Sequence, residues 1–224
     1  MSLFKKYLSY LSVIQERTYT SAYNGTLEIN WINGKKVLDT ENTNYSYGNL
    51  GLVLNKALNN TTTPFLDQNH QILILGMGGG DVIKQLRNTY QSKANITAVE
   101  IDPVIIEIAI NEFGIVPNQS LHIIKDDAEL FVKYSKQKFD LIIVDLFNDT
   151  EIPQFLFQTS FINSLNKIAN ENSSLIFNTF ILNTAHENRN NKFVKLLEEF
   201  FTLQTFKNLY GHNHLIIATK KKKF

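Results

Sequence analysis

The stretch QILILGMGGGDVIKQL, residues 71–86, decides the fold of this chain. An aliphatic run at 72–75 meets a cluster of glycines, and the chain then continues in a helical apolar pattern. This order predicts a buried strand, a tight turn and a helix. Glycine is needed where the backbone takes a positive φ, or where another group approaches more closely than a Cβ would allow. The helix presents unpaired N–H groups at its start, so the turn suits a nucleotide-like ligand.

An acidic residue further along the chain strengthens the interpretation of the glycine turn as a binding site. Gly76, Gly78 and Gly80 form a G-x-G-x-G pattern, which is a weak signal alone. Glu100 lies twenty positions after Gly80 and closes a second apolar segment, NITAVE at 95–100. A carboxylate at that place would meet the two hydroxyls of a ribose. A nucleotide-type site is therefore favoured, and a merely tight strand-to-helix turn is the alternative.

Length and composition limit the classes of protein to consider. The 224 residues allow one domain with a large core and at most a small appendage. A net charge of +1 gives no case for a nucleic-acid partner, and no stretch approaches membrane-spanning length. The chain has no cysteine, and its five histidines do not form a metal-spaced set with nearby acids. We therefore expect a cytoplasmic protein with no metal and no nucleic-acid or membrane partner.

The N-terminal part of the chain predicts a small appendage. Apolar residues at helical spacing indicate an amphipathic helix within residues 2–14. Asn24-Gly25 and Asn33-Gly34 separate short alternating segments, so residues 17–40 are predicted to form a small antiparallel sheet. A second helix is expected in YGNLGLVLNKAL, residues 47–58. The predicted division of the chain is an N-terminal helix plus small sheet at 1–58, a linker at 59–70, and a Rossmann-like domain at 71–224.

From residue 71 the sequence alternates between apolar strands and amphipathic helices. Strands are expected at 71–76, 95–100, 120–124, 139–145, 173–180, 202–208 and 213–219. Helices are expected between the first six of these, at 81–91, 103–113, 127–136, 155–170 and 186–200. Strands that are apolar on both faces and separated by helices require a parallel sheet covered on both sides. Only LYGHN joins the last two strands, which is too short for a crossover, so that pair must be antiparallel.

The predicted fold is therefore α/β, with a Rossmann-like, seven-stranded sheet of the methyltransferase type. The sheet is parallel except for one antiparallel closing strand, and the small N-terminal antiparallel segment precedes it. Ligands of such sheets bind beyond the carboxyl ends of the strands. Four successive strands end there in glycine or acid: the glycine turn, then Glu100 with Asp102, Asp126 with Asp127, and Asp145 with Asp149. Asp102 precedes a proline and is expected to cap the second helix of this domain, while either Asp126 or Asp127 could cap the third.

Residues 71–150 resemble the spermidine synthase family, whose fold is that of class I S-adenosylmethionine-dependent enzymes. The segments ILILGMGGGDVIKQL, ITAVEIDPVIIEIA, IIKDDAELFV and FDLIIVDLFND occur in the family's order and spacing. The resemblance implies a transferase that uses S-adenosylmethionine or its decarboxylated form as co-substrate, with no metal. It implies a small-molecule amine or another small acceptor as partner. It also implies self-association as a homodimer through the N-terminal sheet.

The resemblance implies roles for the residues around the nucleoside. Gly76, Gly78 and Gly80 would approach it, and Glu100 would bind the ribose hydroxyls. The adenine would meet the remaining matching positions. Ile101 would flank the ring, and Asp127, followed by Ala128, would accept a hydrogen bond from the adenine amino group, with Asp126 as the alternative.

The resemblance also implies catalytic residues. Asp145 would stand beside the sulfonium centre and help to orient and deprotonate the attacking amine, since an amine is a nucleophile only when neutral. Tyr47 matches a family segment in the N-terminal part. Asp149 would supply a second acid after the fourth strand. Asp81 takes the place of a family aspartate when the glycines are aligned, whereas alignment on the helix puts Gly79 there.

Departures from the family pattern leave the reaction open. The family typically has an Asp-Ser-Ser-Asp type segment after the fourth strand, but here Asn148 takes the place of the second acid and Asp149 comes one residue late. A polyamine pocket holds a dication and must offer several carboxylates. Aminopropyl transfer to a polyamine or related amine is the first hypothesis. A methyltransferase of unknown substrate is the second, and a catalytically inactive nucleoside-binding or assembly protein is the third.

Overall fold

The computed structural model describes residues 2–40, 50–61, 65–147 and 151–221, which form a small N-terminal sheet and a large sheet covered by helices. The N-terminal part consists of α1 (Ser2–Leu8), β1 (Ile14–Ser21), β2 (Gly25–Ile32) and β3 (Lys35–Thr40). The strands pair antiparallel in the order β1-β2-β3, which confirms the predicted sheet. In the second turn both Asn33 and Gly34 have positive φ, 48° and 76°, the geometry that an Asn-Gly hairpin turn requires.

The N-terminal helix predicted within residues 2–14 is short and ends at Leu8. Leu11 is 85% exposed, and Ile14 begins β1 opposite Trp31. Short helices are marginal unless packing supports them. Pairing with β2 gives the backbone of Ile14 and the residues after it partners that an exposed helical turn would lack.

The large sheet contains seven strands in the order β6-β5-β4-β7-β8-β10-β9. They are β4 (Gln71–Leu75), β5 (Asn95–Glu100), β6 (Leu121–Lys125), β7 (Phe139–Val144), β8 (Ala169–Phe180), β9 (Phe201–Leu209) and β10 (Asn213–Lys220). The pairings from β6 to β8 are parallel, and β10 runs antiparallel to both β8 and β9. The predicted sheet is confirmed. Its order reverses at β4, which lies between β5 and β7, and ligands of open α/β sheets bind at such a reversal.

Helices cover both faces of the large sheet. They are α2 (Leu50–Asn60), α3 (Asp81–Lys84), α4 (Pro103–Asn111), α5 (Ala128–Tyr134), α6 (Thr159–Ile168) and α7 (Thr184–Leu197). Helix α2 belongs to the same hydrophobic core as Ile72 and Ile74 of β4, whereas α6 and α7 share a core with Leu73 and Leu75. Alternate side chains of β4 are buried in the cores on the two faces of the sheet, which is why its sequence is a continuous apolar run. None of the helices in the described ranges is long and apolar enough to cross a bilayer.

Two single turns interrupt the regular pattern. The helix predicted after the glycine turn is α-helical only to Lys84 and continues as a π-helical turn, Gln85–Thr89. A 3₁₀ turn, Gln154–Phe157, precedes α6 where the sequence predicted one continuous helix. Gln158 between them has extended backbone, which separates the two helical pieces.

The small sheet packs on α4 through apolar side chains. Leu27, Ile29 and Leu38 of the sheet are buried against Ile105 and Ile108 of the helix. The apolar faces of β2 and β3 are thus buried against a helix of the larger unit, and such packing stabilises a small sheet.

Two acidic side chains at the ends of α4 add polar contacts to this packing. Before the helix, the Asp102 carboxylate accepts hydrogen bonds from Ser21 Oγ and, at 2.6 Å, from Asn24 Nδ2. After the helix, the Glu112 carboxylate accepts hydrogen bonds from three side chains at 2.8 Å each: Arg17, Tyr19 and Lys36. The small sheet is therefore bound directly beside the loop that follows β5.

Gly76 lies at a point where the end of β4 meets the end of β7. Its φ is +85°, and a Cβ built on it would collide with the backbone carbonyl of Asp145. Its N–H donates to the Val99 carbonyl at 3.0 Å, while the Asp145 N–H donates to the Leu75 carbonyl at 2.9 Å. Neither backbone can retreat without breaking a ladder hydrogen bond, so this close approach requires glycine.

Alanine at position 76 should therefore destabilise the protein more than alanine at Gly25. Gly25 also has a positive φ, +64°, but no atom lies within 4 Å of its added Cβ. We expect Gly25→Ala to cost about 1 kcal/mol for the left-handed backbone alone. The collision should add about 2 kcal/mol in Gly76→Ala. Urea unfolding of both variants measures the difference, and equal losses would contradict the steric explanation.

Candidate active site

The candidate site lies where the carboxyl ends of β4, β5, β7 and β8 meet. The glycine turn follows β4, Glu100 ends β5, Asp145 follows β7, and Asn178 lies near the end of β8. These residues come from distant parts of the chain. Parallel pairing on both sides of β4 brings them to one edge, which is the expected position of a ligand crevice.

Glu100 is hydrogen-bonded to the glycine turn. Its Oε2 accepts from the N–H groups of Met77 at 3.1 Å and Gly78 at 3.4 Å, and its Oε1 accepts from the Asp102 N–H at 3.1 Å. Burial raises the pKa of Glu100, and these hydrogen bonds oppose the shift. The carboxylate is thus oriented by backbone groups before any ligand binds.

The loops after β5 and β6 carry the residues expected around an adenine. Ile101 is 37% exposed, so its side chain is accessible at the rim of the site. Asp127 caps α5, since its Oδ1 accepts from the N–H of the third helical residue at 3.0 Å, and Ala128 beside it is buried. Asp126 Oδ1 accepts from the Asp127 N–H at 2.8 Å. The cap belongs to Asp127, and the contact of either acid with adenine stays a prediction.

Asp102 has a structural role. Its Oδ1 accepts from the Val104 N–H at 2.8 Å, which confirms the predicted N-cap of α4. Its other oxygen takes the two hydrogen bonds from the small sheet, and the side chain is fully buried. No acceptor remains directed at the crevice, so Asp102 supports the loop that Glu100 begins.

Asp145 brings a buried carboxyl group to this edge of the sheet. Its Oδ1 accepts a hydrogen bond from Asn178 Nδ2 at 3.0 Å. Burial raises the pKa of Asp145 to about 6; the hydrogen bond from Asn178 opposes this shift, and the nearby Asp81 carboxylate adds to it. A carboxyl group with this pKa can exchange a proton near neutral pH, as a general base must.

A small, largely apolar cavity beneath Asp145 accounts for the altered acidity. Asp145 and Asn178 line it together with aliphatic side chains of α2, α3 and the sheet: Val53, Leu54, Val82, Ile143, Ile176 and Leu215. Apolar surroundings disfavour the charged form of a carboxyl group. Asn178 Oδ1 is buried and has no hydrogen-bond partner in the described part of the chain. Together the two side chains offer acceptors to the N–H groups of an amine.

Asp81 brings a second carboxylate to the same place. It begins α3 directly after Gly80, whose φ is +85°. Burial raises the pKa of Asp81, and Lys84 opposes the shift. Because Asp81 also raises the pKa of Asp145, the two acids form a site that a cation would stabilise. Asp81 is thus near Asp145 in the structure, and its match to the family aspartate stays a prediction.

An aromatic residue follows each of Asp145 and Asn178 two positions further along the chain. Phe147 and Phe180 stack with their ring centroids 5.9 Å apart. Arg189 of α7 lies over Phe180 and over Phe157 of the 3₁₀ turn, with its guanidinium carbon 5.6 and 4.4 Å from the two ring centroids. These contacts connect Phe147, which follows β7, with Phe180 at the end of β8.

Two predicted catalytic residues, Tyr47 and Asp149, lie outside the described residues, and their roles stay predictions. Asn178 was missed because it belongs to no motif. Val144 pairs with Phe177 across β7 and β8, so the residues that follow, Asp145 and Asn178, are neighbours. That signal exists only once the strand order is known. Within the described ranges, no three His, Asp or Glu side chains are grouped so as to hold a metal ion.

Comparison with known proteins identifies related sequences. The family model of the spermine/spermidine synthase domain matches residues 53–209. The polyamine aminopropyltransferase of Vibrio vulnificus (strain CMCP6) is 29% identical over 137 residues, which cover 60% of this chain and 46% of that protein. An eEF1A lysine and N-terminal methyltransferase homolog of Drosophila pseudoobscura pseudoobscura is 31% identical over 103 residues, covering 45% and 15%. The chain thus spans less than half the length of these two relatives.

Solved structures of both kinds of enzyme share the fold. Spermidine synthase from Thermotoga maritima aligns with a TM-score of 0.73 over 93% of this chain and 74% of that chain, at 15% identity. Human methyltransferase-like protein 13 in complex with SAH aligns with a TM-score of 0.62 over 77% and 80%, at 19% identity. Likeness at such identities concerns the fold alone. The family model, however, covers more than half of the residues, including the glycine turn, Glu100 and Asp145, and the chain therefore belongs to the spermine/spermidine synthase family.

Proposed function

We propose that this chain binds decarboxylated S-adenosylmethionine and transfers its aminopropyl group to a small-molecule amine. The observation that carries the proposal is the Asp145 carboxyl group, whose burial raises its pKa to about 6 beside the glycine turn. Membership of the family supports the class of reaction. Asp145 is the catalytic residue of the proposal, with Tyr47 and Asp149 as further candidates, and the acceptor is a small amine.

The nucleoside would lie across the strand ends with its ribose on Glu100. Oε2 of that carboxylate accepts two backbone N–H groups and Oε1 accepts one, so Oε1 keeps a further acceptor position for a hydroxyl. Ile101 and either Asp126 or Asp127 would then meet the adenine. The sulfonium would come to the carboxylates of Asp81 and Asp145, where negative charge favours a cation.

The transfer is a displacement at carbon. The nitrogen of a neutral amine attacks the methylene carbon bonded to the sulfonium sulfur; the C–N bond forms as the C–S bond breaks. The electron pair of the C–S bond goes to sulfur, and methylthioadenosine leaves. The new ammonium group releases a proton, which the Asp145 carboxylate accepts. The free Asn178 Oδ1 would hold a second N–H of the amine and so orient its lone pair.

Methyl transfer from S-adenosylmethionine is a second candidate, because the chain is also similar to the Drosophila methyltransferase homolog. The two co-substrates differ by one carboxylate. Titration calorimetry with both compounds separates the candidates: tighter binding of the decarboxylated form supports aminopropyl transfer, and tighter binding of the carboxylated form supports methyl transfer. Binding of methylthioadenosine without turnover of any amine would instead indicate a nucleoside-binding protein that has no catalytic role.

Glu100→Gln should weaken nucleoside binding. The amide keeps one acceptor oxygen and removes the charge, and hydrogen bonds to charged groups contribute about 1.5–3 kcal/mol, so we expect an affinity loss of roughly 10- to 100-fold. Calorimetry with methylthioadenosine measures it. Glu107→Gln, an exposed position on α4, is the matched control and should leave the affinity unchanged. An unaltered affinity in Glu100→Gln would contradict the proposal that this carboxylate binds the ribose.

Asp145→Asn should abolish most turnover while leaving nucleoside binding largely intact, since loss of a general base costs about 10²- to 10⁴-fold in rate. In the wild type, kcat/KM should rise with pH through about 6 as Asp145 loses its proton. The variant should remain folded. The raised folded-state pKa of Asp145 means that the folded state loses stability as the pH rises from 3.8, the usual aspartate pKa, to about 6, and the amide avoids this loss. Stopped assays of methylthioadenosine release, with urea unfolding as the check on folding, measure both effects. Undiminished turnover would exclude Asp145 as the base.

Asn178→Ala should move the lower limb of this pH profile to higher pH. The lost hydrogen bond favours the ionised form of Asp145, so its removal raises the pKa further. Asn170→Ala is a matched control, because Asn170 donates to Asp140 at 2.7 Å across the same two strands at their other ends. A limb that shifts equally in both variants, or in neither, would show that Asn178 does not set the acidity of Asp145.

A further inference from the structure

The half-buried side chain of Arg189 lies over two aromatic rings, those of Phe157 and Phe180. Two of its nitrogens have partners: Nε donates to Asn190 Oδ1 at 3.1 Å, and Nη2 donates to the Phe180 carbonyl at 3.2 Å. Its Nη1 has no hydrogen bond within the described ranges. The guanidinium group is therefore fixed in place with donors to spare.

No carboxylate neutralises this guanidinium within residues 2–40, 50–61, 65–147 and 151–221. The ion pairs found there involve Arg17, Lys36 and Lys207, and none involves Arg189. Burial lowers the pKa of Arg189, and its charge in turn helps to lower the pKa of His186. A partly buried, unpaired cation is costly unless a ligand supplies the opposite charge.

The position of Arg189 relative to Asp145 follows from the strand register. Asp145 bonds to Asn178 across the ends of β7 and β8. Two residues further along each segment, Phe147 stacks on Phe180, and Arg189 lies beyond Phe180. Two residues of extended chain span roughly 7 Å. An acceptor whose amine is at Asp145 would therefore pass two phenyl rings and reach a guanidinium group.

We propose that the acceptor amine carries a carboxylate at its far end, which Arg189 binds, and a hydrocarbon body that packs on Phe147 and Phe180. This inference rests on the proposed function. Guanidinium is the group best suited to hold a carboxylate, through paired N–H donors. A diamine or polyamine would instead bring its second ammonium toward a fixed positive charge, and such a like-charge contact selects against it. The site thus favours ω-amino carboxylates over diamines of the same length.

Matched pairs of acceptors test the proposal in the wild-type protein. The pairs are γ-aminobutyrate with putrescine, δ-aminovalerate with cadaverine, and ε-aminocaproate with hexamethylenediamine, each titrated against protein saturated with methylthioadenosine. We expect the amino acid of at least one pair to bind about tenfold more tightly than its diamine, as one charge-assisted contact allows. Diamines that bind as well as or better than every amino acid, or no binding of either class, would overturn the proposal.

Variants at position 189 identify the side chain responsible. Arg189→Gln should weaken binding of the preferred amino acid by about tenfold or more and leave the affinity for its diamine equal or higher. Arg189→Lys, which keeps the charge without the planar fork, should fall between. Lys192→Gln removes the same charge from an exposed position of α7 and should change neither affinity. Equal losses for acid and diamine would mean that Arg189 only packs the wall, and would overturn the proposal.

Failure of this inference is distinguishable from failure of the proposed function. One possible result is that methylthioadenosine binding depends on Glu100 while diamines are the preferred acceptors. This result would be consistent with aminopropyl transfer and would contradict the proposed role of Arg189. Absence of nucleoside binding in the wild-type protein would remove the proposed function, and the acceptor proposal with it.

Discussion

The close approach of Gly76 to the Asp145 carbonyl is the constraint on which the site depends. Backbone hydrogen bonds hold both residues in place: Gly76 donates to Val99 of β5, and Asp145 donates to Leu75 of β4. The end of the central strand is thus fixed between its neighbours. The glycine turn and the Asp145 side chain consequently keep one relative position, as the opposite ends of a single co-substrate require.

Three acids near this junction share one electrostatic condition. Burial raises the pKa of Asp81, Glu100 and Asp145, so each is held in surroundings that disfavour its charge. Glu112 shows the opposite case at the far end of α4, where hydrogen bonds and charges from Lys36 and its neighbours outweigh burial and lower its pKa. Acids that stabilise the fold have their partners within the chain. The acids of the crevice gain from a cation that binds from outside.

Much of the architecture could be predicted because the strands are apolar on both faces and the glycine turn has few alternatives. The sheet, its antiparallel closing strand and the cap at Asp102 follow from local spacing. The extent of α1 could not, since Ile14 is recruited by pairing with β2 that helical periodicity does not show. Asn178 and Arg189 are equally hidden, because their positions depend on strand register and on the packing of α7. A residue whose role depends on contacts with distant parts of the chain cannot be recognised from the sequence around it.

Asp102 connects the first hairpin with the loop after β5, two segments that are far apart in the sequence. Its carboxylate accepts hydrogen bonds from Ser21 and Asn24 in the first hairpin, and its N–H donates to Glu100. Relatives that alter the hairpin polar residues would leave a buried carboxylate short of hydrogen-bond donors two positions from Glu100. Evolutionary change at this hairpin is therefore expected to be correlated with change at residue 102, although Ser21 and Asp102 are 81 positions apart in the chain.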